Sequence, residues 1–148
     1  LHIAYLMEDT ALSGGIRVQL AQADALIALG HHVRIVTKGL PLTWRSSRAE
    51  WVYVDDLNTY DACGDDFVIA TFWTTLSAAW AISPEKALHL CQGYEGAFNA
   101  YQPIRDEIEA AYRPDGIGSG RGTSERGRRQ AAVSPATGRG DGAGSWLE

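Results

Sequence analysis

Apolar and polar positions along the first 113 residues follow two alternating rhythms. His2 to Met7 is a short, nearly continuous apolar run that ends in Glu8-Asp9, the pattern of a strand buried on both faces. After a loop over Thr10 to Gly15, Ile16, Leu20, Ala23 and Ile27 recur at helical spacing, while Arg17, Gln22 and Asp24 fall elsewhere on the turn. Gly30 follows the last apolar residue of that stripe and fits a left-handed helix stop. His31-His32 lead into a second strand, Val33 to Thr37, and Leu40-Pro41 breaks the pattern. Further strands are expected at Trp51 to Val54, Phe67 to Phe72 and Ala87 to Cys91, with a short helix capped by Thr74 or Thr75 and running to about Ile82. A last helix opens at Pro103, places Asp106-Glu107 near its N-terminus and carries Ile104, Ile108, Ala111 and Tyr112 as its buried stripe.

Strands alternating with helices over short connections predict an α/β domain, a Rossmann-like doubly wound parallel sheet spanning residues 1–113. Ligands of such sheets bind beyond the carboxyl ends of the strands, which converts the strand assignments into a site. Three segments meet there. Thr10-Ala11-Leu12-Ser13-Gly14-Gly15 precedes the first helix, so two glycines and the free N–H groups of a helix N-terminus are available to an anion; the bland alternative is a tight turn. Thr71-Phe72-Trp73-Thr74-Thr75 follows the fourth strand, where Trp73 is either a platform for a sugar ring or a packing residue. Gln92-Gly93-Tyr94-Glu95 follows the fifth, with Glu95 the candidate general base or hydroxyl ligand, or a plain solvated loop residue.

Composition changes the picture beyond Arg113. Residues 114–148 hold nine of the sixteen glycines and five arginines, but only Ile117, Val133, Trp146 and Leu147 as large hydrophobes, so disorder is expected there. An arginine-glycine segment that binds RNA or phosphate is one reading of this tail; out-of-frame translation of a GC-rich gene is the other and the favoured one. The net charge of −5 argues against general affinity for nucleic acid or anionic membranes. No apolar run reaches membrane-spanning length, and Cys63 and Cys91 lack metal spacing, so a reduced pair in a cytoplasmic protein is expected. Neither a dinucleotide fingerprint nor a P-loop is present, no Ser, His and Asp arrangement indicates a hydrolase, and no metal site is expected.

Ser13-Gly14-Gly15-Ile16-Arg17-Val18, followed by Gly30-His31-His32-Val33-Arg34-Ile35-Val36-Thr37, resembles the opening of GT4 glycosyltransferases of the GT-B fold. Gln92-Gly93-Tyr94-Glu95 resembles the corresponding segment of a rhamnosyltransferase-like subset. The resemblance covers residues 1–113 and implies the N-terminal, acceptor-side half of an enzyme that transfers sugar from a nucleotide-diphosphate donor with retention, needing no metal or other cofactor. By that likeness Gly14, Gly15 and Arg17 support the donor phosphates, Ser13, Trp73, Thr74, Gln92 and Tyr94 bind a glycan or lipid acceptor, and Glu95 is catalytic. Two departures stand out: Phe72-Trp73 occupies the place of a histidine common in that family, and the donor-binding C-terminal domain is missing. The chain as given is therefore expected to be inactive and prone to self-association, with peripheral membrane association of the parent enzyme left open. The alternative is a non-catalytic acceptor-binding module that pairs with a separate donor-binding chain.

Overall fold

The computed structural model describes residues 1–113, and the predicted tail at 114–148 lies outside them. Five strands, β1 (His2–Met7), β2 (His32–Thr37), β3 (Glu50–Tyr53), β4 (Phe67–Ala70) and β5 (Ala87–His89), form one sheet in the order β3-β2-β1-β4-β5. Every pairing is parallel, with Ile3 opposite both Val33 and Phe67 across the central strand. Three α-helices complete the domain: α1 (Gly14–Ala28), α2 (Trp73–Ile82) and α3 (Arg105–Ala111).

Alternation along β1 feeds two cores. Ala4 and Leu6 point to one face, where they pack with Val36, Val68, Leu76 and Ala79 and with Leu57 from the β3–β4 connection. Ile3, Tyr5 and Met7 point to the other, against Leu20 and Ala23 of α1 and against Ala49, with Trp44 beside them, from the β2–β3 connection. The chain winds outward from β1 to β3 with its connections on the second face. It then returns across the sheet and winds from β4 to β5 on the first, as a single hand of crossover requires.

Local chemistry sets the element ends. Ser13 has an extended backbone and its Oγ accepts from the Ile16 N–H at 3.2 Å, capping α1. At the other end Gly30 N–H donates to Ile27 and His31 N–H to Leu26, a Schellman closure that puts Gly30 at φ 90°. β4 stops at Ala70, two residues earlier than its apolar run predicts. The reason is Thr75, whose buried Oγ1 accepts from the N–H groups of Thr71 (3.0 Å) and Phe72 (3.2 Å) and donates to the Phe72 carbonyl (2.9 Å). Those contacts divert the backbone into α2, which opens at Trp73 and not at a Thr74 or Thr75 cap. β5 is likewise shorter than its apolar pattern, ending at His89. Pro103 lies inside a 3-10 segment, Asn99–Ile104, and α3 begins only at Arg105; of the predicted stripe Ile108 alone is fully buried. Among the described residues no helix is long and apolar enough to cross a membrane.

Candidate functional site

Strand order reverses between β1 and β4, and the carboxyl ends of these neighbours diverge toward connections on opposite faces, opening a crevice at that point. A cleft of about 550 Å³ lies there. Met7, Glu8 and Asp9 supply its floor from the end of β1, Ser13, Gly15, Ile16 and Gln19 one wall from α1, and Thr71 and Phe72 the opposite side from the end of β4. The segment after β5 closes it with Gln92, Gly93, Glu95, Phe98 and Tyr101. Gln92 Nε2 donates to the Gly15 carbonyl at 3.2 Å, so this segment straps across to the first turn of α1.

The rim is braced from the β2–β3 connection. Thr10 Oγ1 donates to the Leu40 carbonyl at 2.6 Å, and Trp44 Nε1 donates to the Thr10 carbonyl at 2.9 Å. Asp9 Oδ1 accepts from the Ala11 N–H at 2.8 Å, turning the chain toward α1. Gly39 packs so closely on this turn that a Cβ there would lie 2.7 Å from Thr10 N, which only glycine avoids.

Charge in the cleft is one-sided. Glu8 is compensated, by an ion pair with Lys38 and a 2.9 Å hydrogen bond from Thr74 Oγ1. Asp9 and Glu95 have no ion pair among the described residues, and none of the residues lining the cleft is Lys, Arg or His. Glu95 is 9% exposed and accepts a 2.5 Å hydrogen bond from Tyr112 Oη on its Oε2. Burial, reinforced by this carboxylate, raises the Tyr112 hydroxyl above its ordinary value, so it stays a donor. The Tyr112 ring meets His89 and Tyr94 edge-on, at 5.2 and 5.4 Å. Burial holds the His89 imidazole below its ordinary pKa, with the Glu95 charge opposing only in part.

Of the residues singled out in the sequence, Ser13, Gly15, Gln92 and Glu95 meet at the cleft. Gly14 and Arg17 are exposed and lie outside its lining; Arg17 follows Gly15 by two positions, which turns it to another side of the helix. Trp73 packs against the core beneath α2, Thr74 is engaged with Glu8, and Tyr94 packs on Tyr112, so none of the three lines the cleft. Phe72, Phe98 and Tyr101 form the aromatic surface there instead, the Phe72 and Tyr101 rings meeting edge-on at 6.4 Å. Phe98, Tyr101 and Gln19 are not among the residues singled out in the sequence, and Phe72 figures there only as a member of its segment. Gln19 had a readable signal, a polar residue inside the apolar stripe of α1 and one helical turn beyond Gly15; Phe98 and Tyr101 lie in irregular chain with no period to read.

Among the described residues no cluster of His, Cys, Asp and Glu has metal-site geometry, and Cys63 and Cys91 are both free and exposed. Comparison with known proteins returns no matching family model, no matching curated protein and no matching solved structure.

Proposed function

We propose that this chain is the acceptor-side, Rossmann-like domain of a GT-B glycosyltransferase, and that its cleft binds a polyhydroxylated acceptor. One observation carries the reading: a cleft at the strand-order switch lined by three carboxylates, Glu8, Asp9 and Glu95, with no cationic side chain among the described lining residues. Such a surface favours hydroxyl groups over a polyanion. Phe72, Phe98 and Tyr101 add apolar faces of the kind a sugar ring packs against. The likeness of the Gly-Gly loop and of the Gly30–Thr37 segment to GT4 enzymes supports the same reading.

In the transfer, an acceptor hydroxyl oxygen bonds to the anomeric carbon as that carbon's bond to the diphosphate breaks. The diphosphate departs with the electron pair, and the hydroxyl proton passes to it or to a carboxylate. Of the carboxylates at the cleft, Glu8 is paired with Lys38, whereas Glu95 is oriented by Tyr112 and is the one assigned this role. The free N–H groups at the start of α1 are of the kind that can bind a donor phosphate. The nucleotide itself is assigned to a second domain, so donor affinity of this chain alone is low.

Titration of isotope-labelled protein with methyl glucoside, methyl mannoside and methyl galactoside, and separately with uridine diphosphate glucose, tests the assignment by amide chemical shift. Saturable shifts confined to Gly15, Gln92, Gly93 and Phe98 are expected with at least one glycoside, and weaker ones with the nucleotide sugar. Nucleotide-sugar binding without any glycoside response would overturn the acceptor-side reading.

A further inference from the structure

A second recess, of about 710 Å³, lies beyond the carboxyl ends of β1 and β2. Its walls are fixed before any ligand arrives. Trp44, half-buried against the second core, is held by the 2.9 Å bond from its Nε1 to the Thr10 carbonyl. Gly39, whose N–H donates to Thr37 Oγ1 at 2.9 Å, lies against the backbone of Asp9 and Thr10 with no room for a Cβ. The chemistry of this recess differs from that of the cleft. Leu40, Pro41 and the Trp44 ring give it an apolar surface, and the one cation among its described lining residues, Lys38, is already paired with Glu8. Leu40 is 81% exposed and belongs to neither core, so the folded chain gains little from a leucine there.

The recess and the cleft abut on the same segment, since Asp9 and Ala11 line both. Strand order explains why. The cleft lies beyond the gap between β1 and β4 and the recess beyond the gap between β2 and β1, neighbouring gaps roughly 5 Å apart. Glu95 enters the cleft from the β5 side, so the recess lies at the end away from it. A glycoside lying along the cleft with its reacting hydroxyl at Glu95 directs its opposite end toward Asp9 and Ala11. A chain of a few carbons carried at that end crosses the segment and reaches Leu40 and Trp44.

We propose that the acceptor is a glycoside with an apolar aglycone, an alkyl or prenyl chain, which the recess at Leu40, Pro41 and Trp44 binds while the cleft holds the sugar. This assignment rests on the reading of the cleft as a polyol site, and it adds the class of acceptor. A second sugar would find few free partners in the recess. Thr10 Oγ1 is engaged with the Leu40 carbonyl, the Trp44 indole N–H with Thr10 and Lys38 with Glu8, which leaves Thr43 and Asp9. An alkyl chain asks for no such partners and gains from covering the apolar surface.

The test is titration of the isotope-labelled full chain with methyl and n-hexyl glucoside, mannoside and galactoside, below micelle-forming concentrations. The hexyl form of a responding sugar is expected to bind roughly tenfold more tightly than its methyl form, the gain from burying about two methylenes. It should shift the Gly39 and Leu40 amides and the Trp44 indole N–H in addition to Gly93 and Phe98. In Leu40→Asp the difference between the two forms is expected to disappear; its persistence there overturns the proposal. Equal binding of both forms by the wild type overturns it without any variant, while Gly93 and Phe98 still respond and the polyol reading stands. Shifts at Gly39 and Trp44 that follow protein concentration and not glycoside assign the recess to a second copy of the chain, which also overturns it. If no glycoside shifts any cleft amide, the polyol reading and this inference fall together.

Discussion

Burial strips His89 of a partner for Nε2 and holds its imidazole below the ordinary value of 6.5, so the folded chain keeps this ring neutral where the unfolded chain takes up a proton. Glu95 opposes the shift from across the Tyr112 ring but does not cancel it, and Tyr112, raised by burial and by Glu95, stays protonated throughout. The sign follows from proton counting. Below about 6.5 the unfolded state binds more protons than the folded one, so this residue's contribution is complete above that pH and is lost as the pH falls toward the folded value. Urea unfolding at about pH 7.5 and again at about pH 5.5 should therefore show acid destabilisation that is smaller in His89→Gln. Equal acid losses in the two proteins would assign the effect to groups other than His89; Asp24, whose burial is outweighed by the Arg48 N–H, Ser47 and Arg45 so that it sits below the ordinary carboxylate value, loses its contribution only at more acid pH.

Elements were legible wherever a period or a cap announced them. The 3.6-residue stripe of α1, its Gly30 stop and the apolar runs of β1 and β2 all lie within about a residue of where the pattern puts them, because burial alone dictates those positions. Their neighbours were less legible, for a reason visible in Thr75. An apolar run cannot say where a strand stops when a single hydroxyl about one turn later in the sequence captures its last N–H groups. The same limit blurred the site: the loop after β1 and the segment after β5 were readable from the sheet rule, but the choice of Phe72 over Trp73 as the cleft aromatic depended on that early helix start. Replacing Thr75 by Val preserves shape while leaving the Thr71 and Phe72 N–H groups unpaired. A loss of about 2 kcal/mol in urea unfolding is expected. An unchanged midpoint would show that the β4–α2 junction is held by packing and not by this hydroxyl.

At the scale of the whole molecule, the two edges of the sheet are defended unequally. On the β3 side Glu50 is paired with Arg34, which also reaches the buried Asp65, so charge stands along that edge and discourages a further strand. On the other side β5 is hydrogen-bonded only to β4 among the described residues, carries no charge, and leaves Leu88 49% exposed. Beside it an apolar hollow of about 150 Å³, lined by Leu76, Ala79, Trp80 and Ala111, comes to the surface near the last described residue. An unpaired, uncharged edge with a half-exposed leucine is a template for a strand from another copy, moderated by the shortness of β5. Sedimentation velocity should accordingly show an average mass that rises with concentration, and Leu88→Lys should suppress the rise while leaving the thermal melt in place, since the side chain is not part of either core. Association that persists in Leu88→Lys would move the contact elsewhere, to the exposed Leu12 and Leu40, and would then compete with the proposed acceptor binding where a β5 contact does not.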